Sequence, residues 1–102
     1  MTTYIQTVRT RALAGREAEY RDWYVNTHIP QILSLDGFVS ATLHRQVTAD
    51  TAPAEFLCIY AIETTDLAAT QDAMLEAGAS VTPSPAMDLP ATVVEVFVGA
   101  SA

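Results

Sequence analysis

The chain has no lysine, one cysteine and, across 102 residues, no apolar run near the roughly 18 residues needed to cross a bilayer. Its five cations are all arginines, set against twelve acids for a net charge of −7. Such a chain lacks the basic footprint that nucleic acid requires and is not drawn to an anionic membrane surface. A lone cysteine excludes an internal disulfide. Cys58 lies in an apolar stretch and reads as a small buried hydrophobe, because reactive thiols need accessible, electropositive surroundings. With only two histidines, His28 and His44, and neither CxxC nor HxxE spacing, no metal-ligand set is assembled. Only four glycines are present, and Gly37 stands alone, so there is no phosphate-cradling loop. No serine sits in a G-x-S-x-G elbow. A single axial imidazole is all that haem requires, but nothing else points to it, and no cofactor is expected. The N-terminus has no basic leader segment, so a cytoplasmic location is expected.

What is present fits one small domain spanning 1–102. Half of the residues are apolar. A chain this short buries only about two-thirds of its unfolded surface, so a homodimer would remove a further apolar face from water. The charge is uneven. Residues 1–35 carry four arginines against three acids, and the remainder carries one arginine against nine.

Hydrophobic periodicity predicts six elements. Residues 3–10 alternate and are rich in β-branched side chains, as suits a strand. After the Ala14-Gly15 turn, helical spacing runs from 16 to 28, with Tyr20, Trp23, Tyr24 and Thr27 as its inner stripe. No side chain caps its start. Pro30 should push Ile29 out of the α region and break the helix, then open a short turn through Leu33. Strands follow at 38–46 and 55–63, joined by a polar hairpin loop at 48–54. Thr65 or Asp66 caps a second helix, with Leu67, Met74 and Leu75 facing inward and Gly78 at its end. A proline-bearing loop at 79–90, long enough to act as a lid, precedes a last strand at 91–98.

The order β-α-β-β-α-β is the ferredoxin-like arrangement, an α+β fold. It gives a four-stranded antiparallel sheet with both helices on one face. Apolar residues remain for the other face, among them Val94, Val96, Leu57 and Ile59 on simple alternation. Exposed patches of that size mark interfaces, so two sheets should pair face to face.

The most informative segment is Trp23-Tyr24-Val25-Asn26-Thr27-His28-Ile29-Pro30. Tyr20, Tyr24 and His28 are four apart and form one row on a helix face. Two hydroxyls and an imidazole on an otherwise apolar face make either a polar network inside a core or the wall of a ligand site. Carbonyls freed at the proline break favour imidazolium, whereas burial disfavours it; the balance would leave His28 titrating near neutrality, fit for general acid or base chemistry. Tyr24 is the candidate hydrogen-bonding partner of the imidazole or of a substrate carbonyl. Tyr20 and Trp23 offer flat apolar area for a ring. Further candidates for substrate contact are Phe38, Tyr60 and His44, the last sharing a face with Phe38 by alternation. Arg9 and Arg45 are either surface charges or a carboxylate anchor at the sheet end.

These residues carry a resemblance. Ala14-Gly15-Arg16-Glu17, Tyr20-Arg21-Asp22-Trp23-Tyr24, His28-Ile29-Pro30 and Gly37-Phe38-Val39-Ser40-Ala41 resemble the pattern of the EthD-like group of the dimeric α+β barrel superfamily. The likeness covers residues 14–41; Asp36 stands where similar sequences often carry proline. It implies a homodimer with one small-molecule pocket per subunit, between helices and sheet. It also implies cofactor-free isomerase, cyclase, lyase or monooxygenase chemistry, with some haem-dependent members. In a lactone-isomerising relative, the histidine equivalent to His28 serves in proton transfer. A tyrosine of that enzyme is replaced here by Ala41, so its specific reaction is not carried over.

The expected function is cofactor-independent proton-transfer chemistry on a small apolar cyclic, aromatic or polyketide-like substrate, with His28 and Tyr24 catalytic. The alternatives are a non-catalytic binding or accessory protein holding a hydrophobic metabolite beside an oxygenase, and a cofactor-free monooxygenase.

Overall fold

The computed structural model describes residues 2–47, 55–79, 84–87 and 92–99. The strands are β1 (Thr2–Arg11), β2 (Phe38–Arg45), β3 (Glu55–Thr64) and β4 (Val93–Val98). They form one antiparallel sheet in the order β2-β3-β1-β4, the expected ferredoxin-like topology. Helix α1 (Glu17–Trp23) runs through a wide turn at Tyr24–His28 into α2 (Ile29–Leu33), and α3 (Leu67–Ala79) follows β3. The hairpin loop expected at 48–54 lies outside the described residues. Of the loop expected at 79–90, Ala79 closes α3 and residues 84–87 are described. The latter pack on the end of β1: Met87 bridges to Ala12, and the Leu13 N–H donates to the Ala86 carbonyl at 2.7 Å.

Local chemistry explains the boundaries. Gly15 and Gly37 adopt φ of +78° and +94°, where a side chain is strained. At Gly37 a Cβ would also come within 3.2 Å of the Thr70 side chain. Helix α1 begins at Arg16 without a side-chain cap, as expected. Helix α3 is capped by Asp66, whose carboxylate accepts from the Ala69 N–H at 3.1 Å. Gly78 lies inside α3, not beyond its end.

The inner sheet face carries Gln6, Val8 and Thr10 from β1 and Phe56, Cys58, Tyr60 and Ile62 from β3, all buried. Register shows that the outer apolar set was only half foreseen. Val94 and Val96 pair with Val8 and Gln6 and so lie on the helix side, whereas Leu57 and Ile59 lie outside. The outer face is completed by Ile5, Val93 and Phe97, the last two about half exposed.

Candidate active site

The helix does not break at Pro30. Ile29 keeps helical torsions, φ −58° and ψ −49°, and its N–H bonds the Tyr24 carbonyl five residues back. Widening one turn to i→i+5 spacing accommodates a proline that has no N–H and whose ring crowds the preceding turn. This turn has a consequence for side chains. Residues five apart point about 140° away from each other on an α-helix, but across the wide turn they come into line. Trp23 and His28 therefore stack, with ring centroids 5.0 Å apart and planes 16° from parallel. The same widening turns Thr27 outward, so it is exposed and does not belong to the inner stripe.

The polar row divides into two parts. Tyr20 donates to Thr10 Oγ1 at 2.7 Å. The Tyr24 and Tyr60 hydroxyls pair with each other at 3.2 Å, with the Cys58 thiol beside them. Burial pushes the Tyr20 phenol up to about 12, and the Tyr24 and Tyr60 phenols and the Cys58 thiol are also raised, chiefly by burial. All four stay protonated at neutral pH. Tyr24 meets His28 through its ring edge, at 5.0 Å and 79°, and not through its hydroxyl.

His28 is different. Neither ring nitrogen has a hydrogen-bond partner among the described residues. Nδ1 is shut away from solvent, which leaves Nε2 as the accessible nitrogen. Burial lowers the pKa from its ordinary value of 6.5, so the ring is neutral at pH 7. The dipole contribution expected at a helix end is missing because the helix continues.

His28, Tyr20, Trp23 and Tyr24 line one cavity of about 660 Å³, bounded by α1, the wide turn, α3 and strands β1 and β4. That is within the range of small-molecule sites. Its walls are mostly apolar. Leu75, expected to face inward, lines the cavity yet stays 71% exposed. Met74 and Met87 supply adaptable apolar wall. Five polar residues not singled out from sequence also line it: Gln6, Thr10, Gln71, Asp72 and Thr92. Gln6 and Thr10 had a signal, being the polar members of the buried parity of β1.

The other candidates lie elsewhere. Phe38 packs edge-on against Tyr60, centroids 5.9 Å apart, in the core behind the cavity wall. Tyr60 acts from the same layer through its bond to Tyr24 and does not line the cavity. His44 does not share a face with Phe38. A register shift between Phe38 and Ser40 adds one residue to β2 and reverses the parity that follows. His44 thus pairs with Leu57 on the outer face, bonded to Thr42 Oγ1 at 3.1 Å. There it lines a separate 250 Å³ depression with Arg9 and Arg45. No group of three or more potential metal ligands occurs among the described residues.

Fold and site together define a ferredoxin-like α+β domain with a cavity between its helices and sheet. A solved structure similar to it is that of an ethyl tert-butyl ether (EthD) family protein from Bacillus halodurans C-125, with a TM-score of 0.62. The match covers 95% of this chain and 99% of that one at 10% identity, and so speaks for the fold alone. It agrees with the EthD-like resemblance carried by residues 14–41. No family model matches the chain, and no curated protein matches it. No helix among the described residues is long and apolar enough to cross a membrane.

Proposed function

We propose that the protein is a cofactor-independent enzyme of small-molecule metabolism. It performs proton-transfer chemistry, such as isomerisation, cyclisation or elimination, on a small, largely apolar ring compound held in the cavity. The observation that carries this reading is a neutral imidazole, without a hydrogen-bond partner among the described residues, on the wall of a 660 Å³ apolar hollow. A structural histidine is held through its nitrogens; this one is held by ring stacking and keeps Nε2 for a guest. Neutral at pH 7, His28 takes a proton from a carbon acid or hydroxyl placed against it and returns it elsewhere on the same molecule. Trp23 fixes the plane of the substrate, with the buried Tyr20 stacked on it as support. Tyr24 acts through its ring edge and its tie to Tyr60, so its role is to position the imidazole. The outer face, with Ile5, Leu57, Ile59, Val93 and Phe97, is the surface on which two copies pair.

The reading is tested by incubating the protein with neutral ring ketones and phenols in deuterated water and following solvent deuterium by mass spectrometry. Exchange by wild type and its loss in His28→Ala supports proton transfer. Retention in His28→Ala removes it. One observation favours a second reading. With the Tyr20 hydroxyl engaged by Thr10 and the Tyr24 hydroxyl by Tyr60, the described wall is mostly apolar, as suits a carrier for a hydrophobic metabolite. Return of a tightly bound ring with no exchange would establish that role.

A further inference from the structure

Gln6 is 1% exposed and lines the cavity. Across the sheet it lies between Tyr60 of β3 and Val96 of β4, so its carboxamide rises from the cavity floor opposite the helices. The side chain has one hydrogen-bond partner among the described residues, the Met74 sulfur, 2.8 Å from Nε2. A thioether is a weak acceptor. Oε1 has none among the described residues, and the side chain to which it belongs lines the hollow. Rotating the amide by half a turn would set the carbonyl against the sulfur lone pairs and leave the NH₂ unpaired instead. In either orientation a buried carboxamide is poorly satisfied, and such groups are retained where something else completes them.

The rest of the lining narrows what completes it. No arginine is among the described lining residues, and Asp72 is the one charged group there. His28 is neutral. A carboxylate or phosphate would enter with no countercharge and would face Asp72. We infer that Gln6 is a specificity-determining residue that hydrogen-bonds an uncharged oxygen function, a hydroxyl or a ring carbonyl, on the occupant of the cavity. This rests on the proposed reading that the cavity takes a ring compound, and it adds that the ring is oxygenated and neutral on its sheet-facing side.

Binding is followed through the fluorescence of Trp23, the single tryptophan, which lines the same cavity. The probes are 2-naphthol, naphthalene and 2-naphthoate. In Gln6→Met the ratio of naphthol to naphthalene affinity should fall about fivefold, as expected for loss of one net hydrogen bond. Naphthalene affinity should stay within about twofold. In wild type, 2-naphthoate should bind more weakly than 2-naphthol. An unchanged ratio in the variant, or tighter binding of the naphthoate, overturns the inference. Nitrogen-15 NMR of the wild-type side-chain amides supplies a check that needs no substitution. The Gln6 NH₂ signal should move with naphthol and stay with naphthalene; equal response to both also overturns it. Failure of all three probes to bind would count against the cavity as a ring site, and so against the broader proposal, whereas binding without discrimination counts against Gln6 alone.

Discussion

Two buried polar groupings lie within one helical turn of each other and behave in opposite ways. In the first, the hydroxyls of Tyr24 and Tyr60 satisfy one another beside Cys58, and Tyr20 satisfies Thr10. In the second, His28, Gln6 and Thr92 line a hollow and each has a polar atom with no conventional partner among the described residues. Both are polar and mostly hidden from solvent. On the proposed reading, what distinguishes the cavity wall from the core cluster is not the presence of polar groups but whether the protein itself completes their hydrogen bonds.

This contrast can be broken at several points. The largest effect is expected at the unsatisfied wall. His28→Ala should reduce any turnover by about 100-fold or more, the range for loss of a general acid or base. It should not remove the compact fold, because the ring has no hydrogen-bond partner among the described residues. Steady-state kinetics beside thermal unfolding checks this, and loss of stability with full turnover would reverse the assignment. Next is occupancy of the hollow. Gly78 lines it and has nothing within 4 Å of a would-be Cβ. Gly78→Leu should weaken ring binding about tenfold, near 1.4 kcal/mol. Stability should hold or rise, since a helical glycine costs roughly 0.5–1 kcal/mol relative to alanine.

The sealed cluster should respond the other way. Tyr60→Phe strands the Tyr24 hydroxyl and should cost about 1–3 kcal/mol of stability by chemical denaturation, with ring affinity nearly unchanged. A parallel fall in affinity would move the cluster into the site. The smallest effect is that of pH. The His28 pKa is lowered on folding, so below 6.5 the unfolded chain takes up a proton that the folded chain resists. This part of the stability is complete above pH 6.5 and is lost as pH falls toward the folded pKa. Melting temperatures between pH 7 and 5 should decline more in wild type than in His28→Gln.

Much of the fold was legible because local signals agreed. Alternation in β1, the glycine turns at 15 and 37, and the Asp66 cap all point to the element order observed. The errors came where one residue is inserted into a regular period. The wide turn at Tyr24–His28 absorbs Pro30, which read as a helix break, and reassigns Thr27. The register shift in β2 places His44 on the opposite side from Phe38. Neither insertion leaves a mark in hydrophobic periodicity. The row Tyr20, Tyr24, His28 was visible from its spacing, but its division was not, because Thr10 and Tyr60 reach it from distant strands. Gln6 escaped notice for a related reason: within a β-branched strand, a lone carboxamide reads as a solvent-facing residue until the sheet is assembled.

Clamping His28 by the face of Trp23 has a further result. A ring gripped by its flat surface and tethered through neither nitrogen is not committed to one tautomer. The guest's own donor or acceptor then decides where the imidazole proton resides. On the proposed reading, the same ring can accept a proton from one compound and donate a hydrogen bond to the oxygen of another.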